Sequence, residues 1–600
     1  MNGINDFAFK MATVNGTGSA SANSLLMQAI FRMGVPVTGK NLFPSNIQGL
    51  PTFYEIRVSK DGYTARPHEV DLVVALNPAT YAKDVASVRP GGYLLYDSSW
   101  PLEPELVREG ITILGIPFGK ICIEHFDGDR NRTLLRNIVY AGALAALLNI
   151  DMELVGQMLV QKFSKKKKLL DANNTAITLG YDYARAHFEC PLPFHLERMD
   201  ATSDSIIIDG NTAAALGAVY AGATVGAWYP ITPSTSLMEA FKMFCQQFRT
   251  EPGTGLARYC IIQAEDELSA AGIAIGAGWA GARSFTNTSG PGISLMQEFV
   301  GLAYYTEIPT VIFDVQRTGP STGMPTRTQQ SDLLSLAYAS HGDTKHIVLF
   351  PCSPEECFYL SVAAFDLADR FQTPVFVASD LDIGMNDWMC KRLNWDDNYR
   401  PDLGKVLSAE DLASIQNYSR YLCEDEDGIA KRTLPGVHAA GAYFVRGSGH
   451  DKYGQYTEDS EAYQEVVDRL THKFKTAALT VPAPEFAYGE AGADIGIVTI
   501  GGCNSAVREA IDRLRDVGVN ADYMRIRAFP FGPQVRAFLD AHPKLFVVEQ
   551  NRDAQLRTLL AAETGMPRDA MTPVLDYGGM PLTAKLVADA IAAQLQQVPA

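Results

Sequence analysis

The sequence predicts an α/β chain of three domains with open, mostly parallel sheets, and three observations carry that prediction. Near-continuous apolar runs such as Glu69-Val-Asp-Leu-Val-Val-Ala-Leu-Asn77 read as strands covered on both faces. Stretches of helical period or of small residues alternate with those runs. The 50 Gly and 32 Pro, without a collagen-like period, punctuate the alternation with turns. At roughly 100–200 residues per domain, 600 residues allow three or four.

The first segment, 1–190, opens with a strand at Phe7–Val14. The Gly-rich turn Asn15-Gly-Thr-Gly18 follows, then an apolar helix marked by Leu25, Leu26, Ala29 and Ile30. Strands are expected at Glu69–Asn77, Tyr93–Asp97 and Gly110–Pro117. Pro191 and Pro193 mark a linker. The second segment, 206–395, carries strands at Thr224–Trp228, Arg258–Gln263, Arg283–Thr288, Thr310–Val315, His346–Phe350 and Thr373–Ala378. Residues 396–485 are rich in Asp, Glu, Tyr and Arg with weak periodicity, which reads as a connection wrapping over its neighbours. The last segment, 486–600, returns to α/β, with strands at Ile495–Ile500, Ala521–Ile526 and Leu545–Glu549 and a helix at Ala506–Val517.

Composition narrows the function classes. With 47% hydrophobic and 20% charged residues, the chain fits a globular enzyme. A net charge of −17 argues against a nucleic-acid binder, whose affinity comes from neutralising phosphates. Nine cysteines are scattered, without a Cys-x-x-Cys, so neither a disulfide framework nor an unaided iron–sulfur or zinc site is expected, and no metal ligands are assigned. The N-terminus lacks a signal-peptide pattern, and Ala270–Ala282 is too short and Gly-rich for a membrane span. A cytoplasmic protein is the expectation. The Lys165–Lys168 run reads as a solvated helix end.

Four stretches could carry chemistry. Tyr229-Pro-Ile-Thr-Pro233 leaves a strand, and its two prolines are expected to hold Thr232 extended, with Ser236 and Glu239 as a capping box beyond. Gln263-Ala-Glu-Asp-Glu267 places three acids before a helix of small residues. They suit the helix dipole, but an acid beside such a surface can also share a proton with a flat ligand. Thr288-Ser-Gly-Pro-Gly292 is either an ordinary turn or a bare surface for close approach. Arg317 leaves an apolar strand into a Gly/Ser/Thr loop and needs an anion, either an internal acid or a carboxylate substrate. Gly16-Thr-Gly18 falls short of a dinucleotide fingerprint, which leaves a stand-alone NAD-linked enzyme a weak option. Neither a P-loop nor the Gly-Asp-Gly of magnesium-bound thiamine sites is present.

Together, Tyr229–Thr235, Glu265–Glu267, Thr288–Gly292, Gln316–Gly323, Gly342-Asp343 and Val548–Asn551 resemble the 2-oxoacid:ferredoxin oxidoreductase family. The likeness spans the chain and is to α subunits of the 2-oxoglutarate type with a γ-type domain fused at the N-terminus. It implies a γ-type domain, a thiamine pyrimidine-binding domain and a transketolase C-terminal-like domain. It also implies CoA-dependent oxidative decarboxylation of 2-oxoglutarate to succinyl-CoA, or the reverse, with electrons passed to ferredoxin. Thiamine diphosphate would lie at the interface with a β subunit that holds Mg²⁺ and [4Fe–4S] clusters, in a dimer of αβ heterodimers.

By the same resemblance, Glu267 matches the glutamate at the aminopyrimidine N1′, with Glu265 as rival. Gly290 and Gly292 match cofactor contacts, Thr232 a substrate hydrogen bond, and Arg317 the partner of the substrate α-carboxylate. The loop Asn41–Pro51 resembles a γ-domain loop, which makes Ser45 and Asn46 candidate contacts for substrate or CoA. Arg57, Arg327 and Lys40 are open candidates for a distal carboxylate. Another 2-oxoacid (pyruvate, a branched-chain acid or an arylpyruvate) and a non-catalytic assembly subunit remain alternatives.

Overall fold

The computed structural model describes residues 3–45, 49–489 and 492–597. Two compact units emerge. One comprises Met1–Ile208, Asn386–Arg392 and Thr583–Leu586, and the other the remaining residues.

The first unit is built on a six-stranded sheet in the order Val37–Leu42, Pro51–Ser59, Asp6–Val14, Val70–Ala75, Val88–Asp97, Thr112–Ile116. The last four strands are parallel, as their apolar runs foretell, while the first two form an antiparallel hairpin. That hairpin is not visible in the sequence, because Val37-Thr-Gly-Lys-Asn-Leu42 lacks an apolar alternation. Helix Ser19–Arg32 starts at Gly18, whose φ of +82° suits glycine. Helices Asp129–Leu148 and Lys167–His187 cross where glycines face each other. A Cβ on Gly142 would sit 1.9 Å from the Ile177 carbonyl oxygen, and one on Gly180 1.9 Å from that of Val139. Lys165–Lys168 are exposed in the turn before and at the start of the second of these helices.

The expected borders at 206 and 395 shift. Ser205–Ile208 and Trp388–Lys391 pair antiparallel with each other and cluster with the first unit. Short polar-flanked strands of this kind carry little periodic signal.

In the second unit a seven-stranded sheet runs in the order Cys260–Gln263, Val225–Trp228, Ser284–Thr288, Thr310–Gln316, Pro374–Asp380, Ile347–Leu349, Ala528–Phe529. The first six strands are parallel. The seventh is antiparallel and comes from the last segment, which the sequence reading set apart as its own domain. A five-stranded sheet follows: Glu485–Ala487, Ala521–Ile526, Ile495–Ile500, Lys544–Glu549, Met571–Leu575. Phe376, Val348, Val498, Met524 and Phe529, drawn from both sheets, share one buried apolar cluster.

Residues 396–485 are not only a wrapping connection. They contain the 19-residue helix Ser460–Ala478, capped by the Asp459 side chain. Val466, Leu470, Lys473, Phe474 and Ala477 face inward at helical spacing. Lys473 and Arg469 close on the buried Glu307 at 2.9 and 3.1 Å. A lysine on the buried stripe weakens the apolar period, which is why the helix reads poorly in the sequence.

Among the described residues, no helix is long and apolar enough to cross a membrane.

Candidate active site

Three neighbouring parallel strands of the second unit deliver the candidate residues, all at their C-terminal ends, where open α/β sheets bind ligands. Val225–Trp228 leads into the turn at Thr232, Ser284–Thr288 into Ser289 and Gly290, and Thr310–Gln316 into Arg317.

Thr232 lies in a turn, ahead of a cis peptide bond to Pro233, rather than in an extended run. Its hydroxyl makes no hydrogen bond among the described residues, contrary to the expectation that the prolines fix it. The capping box is also absent. Helix Thr235–Phe248 begins two residues earlier, at N-cap Ser234, and Ser236 accepts instead from Asn211 Nδ2 at 2.8 Å. The turn is pinned from the next strand, where Asn287 Nδ2 donates to the Ser234 carbonyl at 2.8 Å. From the strand beyond, Arg317 Nη1 donates to the Thr232 carbonyl at 2.7 Å.

Arg317 is buried, and among the described residues its Nε has no partner. Among the described residues it forms no ion pair within 4 Å, so the internal pairing anticipated as the plain alternative is absent. Burial lowers its hold on its proton, opposed by the charges of Asp332 and Glu267. An unpaired buried guanidinium is a site prepared for an anion.

The three acids at 265–267 separate in role. Asp266 is the cap of helix Glu267–Trp279, its side chain accepting from Ser269 N at 2.7 Å. Glu265 is exposed, whereas Glu267 is 6% exposed. Gly292 packs against it so closely that an added Cβ would lie 2.7 Å from Glu267 Cγ and 1.9 Å from Thr288 Oγ1. At Gly290 the added Cβ would meet Asp332 Oδ2 at 3.0 Å. A buried carboxylate on a floor of bare backbone is a cradle for a flat, partly basic ring.

A cavity of about 560 Å³ opens beside these residues. Gly290, Arg317, Gly319, Asp332, Asn551 and Tyr577 are among those lining it. Asn551 belongs to the Val548–Asn551 motif and donates to the Gln330 carbonyl at 3.0 Å and to Glu549 at 2.7 Å. The last segment thereby holds the loop that follows Arg317. Sequence reasoning missed Asp314 and Asp332. The available signal was an acid inside the apolar run Thr310–Val315, and Asp314 is indeed fully buried.

Two family models match. Residues 8–183 fit "Pyruvate ferredoxin/flavodoxin oxidoreductase", and 216–388 fit "Pyruvate flavodoxin/ferredoxin oxidoreductase, thiamine diP-bdg". The chain is 31% identical to the 2-oxoacid:ferredoxin oxidoreductase 2 subunit alpha of Aeropyrum pernix, over 98% of this chain and 97% of that one. The chain belongs to the 2-oxoacid:ferredoxin oxidoreductase family. Within the family it is 35% identical to the 2-oxoglutarate synthase subunit KorA of Methanothermobacter thermautotrophicus, over 62% of this chain and 94% of the relative. It also matches the solved 2-oxoglutarate:ferredoxin oxidoreductase of Magnetococcus marinus, which has 2-oxoglutarate, coenzyme A and succinyl-CoA bound. That match has a TM-score of 0.89 and 28% identity, covering 99% of this chain and 100% of that one.

The remaining candidates of this 2-oxoacid:ferredoxin oxidoreductase chain fall elsewhere. Ser45 is exposed in the hairpin loop of the first unit, and Asn46 lies outside the described residues. In the same unit Lys40 lies over the Trp388 ring, 3.9 Å from its centroid, and Arg57 donates to the Ala65 carbonyl. Arg327 shares the unit of Arg317, and its Nη1 donates to the Thr326 carbonyl at 2.7 Å. All nine cysteines are free. Among the described residues, no cluster of His, Cys, Asp or Glu could hold a metal ion.

Proposed function

We propose that this chain is the α subunit of a 2-oxoglutarate:ferredoxin oxidoreductase. The reaction converts 2-oxoglutarate and CoA to succinyl-CoA and CO₂, with two electrons leaving singly to ferredoxin, or runs in reverse. One observation carries the reading: the buried Arg317, without an ion-pair partner among the described residues, hydrogen-bonded to the turn that presents the Thr232 hydroxyl. The guanidinium binds the α-carboxylate of the 2-oxoacid, and the hydroxyl hydrogen-bonds its carbonyl.

Thiamine diphosphate, when bound, supplies the carbon nucleophile and the electron sink. Glu267 would hold its aminopyrimidine, over the bare backbone of Gly290 and Gly292. The burial of Glu267 and the lack of room for a Cβ at Gly292 favour this residue over the exposed Glu265. A β subunit would supply the magnesium–diphosphate site and the iron–sulfur clusters. Exposed Tyr229, Ile262, Leu268 and Leu295, on the elements that carry the site, suit a partner surface. Ser45 and Asn46 remain proposed contacts for substrate or CoA. The 2-oxoglutarate assignment is supported by the KorA relative and the Magnetococcus structure. A panel of 2-oxoacids offered to the assembled enzyme tests it.

The central test is Arg317→Ala in the assembled enzyme, assayed by 2-oxoglutarate- and CoA-dependent viologen reduction. Near-complete loss is expected, on the order of 10³-fold in kcat/KM for a buried charge-assisted contact. Unchanged kcat/KM would remove Arg317 from the site.

A further inference from the structure

Asp314 lies within strand Thr310–Gln316, wholly buried, and among the described residues neither of its carboxylate oxygens has a donor. Asp332 faces it within hydrogen-bond reach, on the loop that follows Arg317. Asp332 Oδ2 is also buried without a donor. The Asp332 backbone is fixed by its N–H, which donates to Gln316 Oε1 at 3.1 Å. A wholly buried carboxyl without a donor, set against a second, half-buried carboxyl, is tolerable only with a proton between the two. On its other side Asp332 lines the cavity with Arg317, and its charge is one of two that act on that guanidinium, Glu267 being the other.

We infer that Asp314 and Asp332 form a carboxyl pair sharing one proton, which is the counter-charge of Arg317 in the empty site and takes up a second proton when a 2-oxoacid carboxylate binds there. The inference rests on the proposed role of Arg317. One proton comes from solvent and bonds to a carboxylate oxygen of the pair, so the negative charge beside Arg317 passes from Asp332 to the substrate. Asp332 is then a positioning residue: it sets how available Arg317 is, without touching substrate.

The other charged groups around Arg317 and the cavity are Glu267, Arg552 and Asp553. The charge of Glu267 also acts on Arg317. Arg552 and Asp553 pair with each other at 2.7 Å at the cavity rim. No histidine is among the residues that line the cavity. Burial pushes the Asp332 carboxyl up to about 6, against the pull of Asp314 and Arg317, and burial raises Asp314 well above the carboxylate range. Removing the negative charge favours an arriving anion, so affinity rises as pH falls towards 6.

The test is 2-oxoglutarate binding to the assembled enzyme without CoA, by calorimetry from pH 8 to 5.5 in buffers of different ionisation enthalpy. In the native enzyme, Kd falls about fivefold, as expected for one partly screened charge, with uptake that peaks at about 0.4 proton near the middle of the transition. Asp332→Asn keeps the shape and removes the charge, so binding becomes tight and independent of pH, without proton uptake. Asp314→Asn donates an amide hydrogen to Asp332 and keeps it ionised, so binding becomes weak and independent of pH. Native pH dependence and uptake in either variant overturn the pair. Arg317→Ala binding as tightly as native overturns the substrate reading. A native enzyme without proton uptake, alongside a weakened Arg317→Ala, overturns this inference alone.

Discussion

Arg317 and Thr232 lie 85 positions apart in sequence and are joined by one hydrogen bond of 2.7 Å, from guanidinium to backbone carbonyl. The bond uses the threonine's backbone and leaves its hydroxyl without a partner among the described residues. The two most specific motifs of the sequence are thus one physical object: a cation and a hydroxyl held at a fixed spacing by strands that share a sheet.

Thr232→Val keeps the shape and the carbonyl that accepts from Arg317, but deletes the hydroxyl. We expect kcat/KM for 2-oxoglutarate to fall by about 10–100-fold, the worth of one hydrogen bond to a reacting carbonyl, while Thr232→Ser stays near native. Steady-state viologen reduction decides; an undiminished valine variant refutes the hydroxyl's role.

Glu267→Gln and Glu265→Gln should part company. The buried side chain is expected to cost on the order of 10²–10³-fold in kcat, the exposed one less than about twofold. Equal losses would mean that burial does not separate the two acids.

At Gly292 a single methyl group has nowhere to go. Gly292→Ala must displace Thr288 or Glu267, so we expect about 1–3 kcal/mol of destabilisation together with loss of thiamine diphosphate binding. Thermal unfolding and cofactor titration of the assembled variant read the two effects separately.

Glu307 concerns stability alone. Burial pushes its carboxyl up, but Arg469 and Lys473, with Arg420 behind them, outweigh burial and hold it well below the ordinary 4.5. A depressed carboxyl contributes its full stability above the unfolded value, and that contribution fades as pH falls below about 4.5. Glu307→Gln should cost about 3–5 kcal/mol at neutral pH, since it leaves two buried cations without their acid, and should flatten the acid limb. Denaturant midpoints at pH 7 and 4 check both statements.

Thiol labelling reads the sheet edge. Cys260 is exposed on the outermost strand, whereas burial pushes Cys352 up to about 12 and both Cys122 and Cys245 up to about 11. With the chain in its native state at pH 8, a thiol reagent is expected to modify Cys260 first and to reach those three only on unfolding.

The parallel strands were legible because burial on both faces writes them as apolar runs, and Arg317 was legible because a charge at the end of such a run needs a reason. The helix Ser460–Ala478 was obscured by Lys473, a residue whose burial makes sense only beside Glu307, 166 positions away. The capping box at Ser236 was a false signal: the side chain that appeared to cap a helix serves Asn211 instead. Asp314 went unnoticed because its partner, Asp332, lies beyond the turn and becomes a neighbour only when the loop folds back. Long-range pairings of this kind leave no local period to read.

The strand Ala528–Phe529 bears on how the seven-stranded sheet ends. It covers Ile347–Leu349, a strand whose three residues are all buried. A chain cut before residue 528 would bare that strand as an open edge, ready to pair with another copy. A truncation before residue 528 is therefore expected to turn a covered sheet edge into a self-templating one, and the strand from the last segment acts as its stopper.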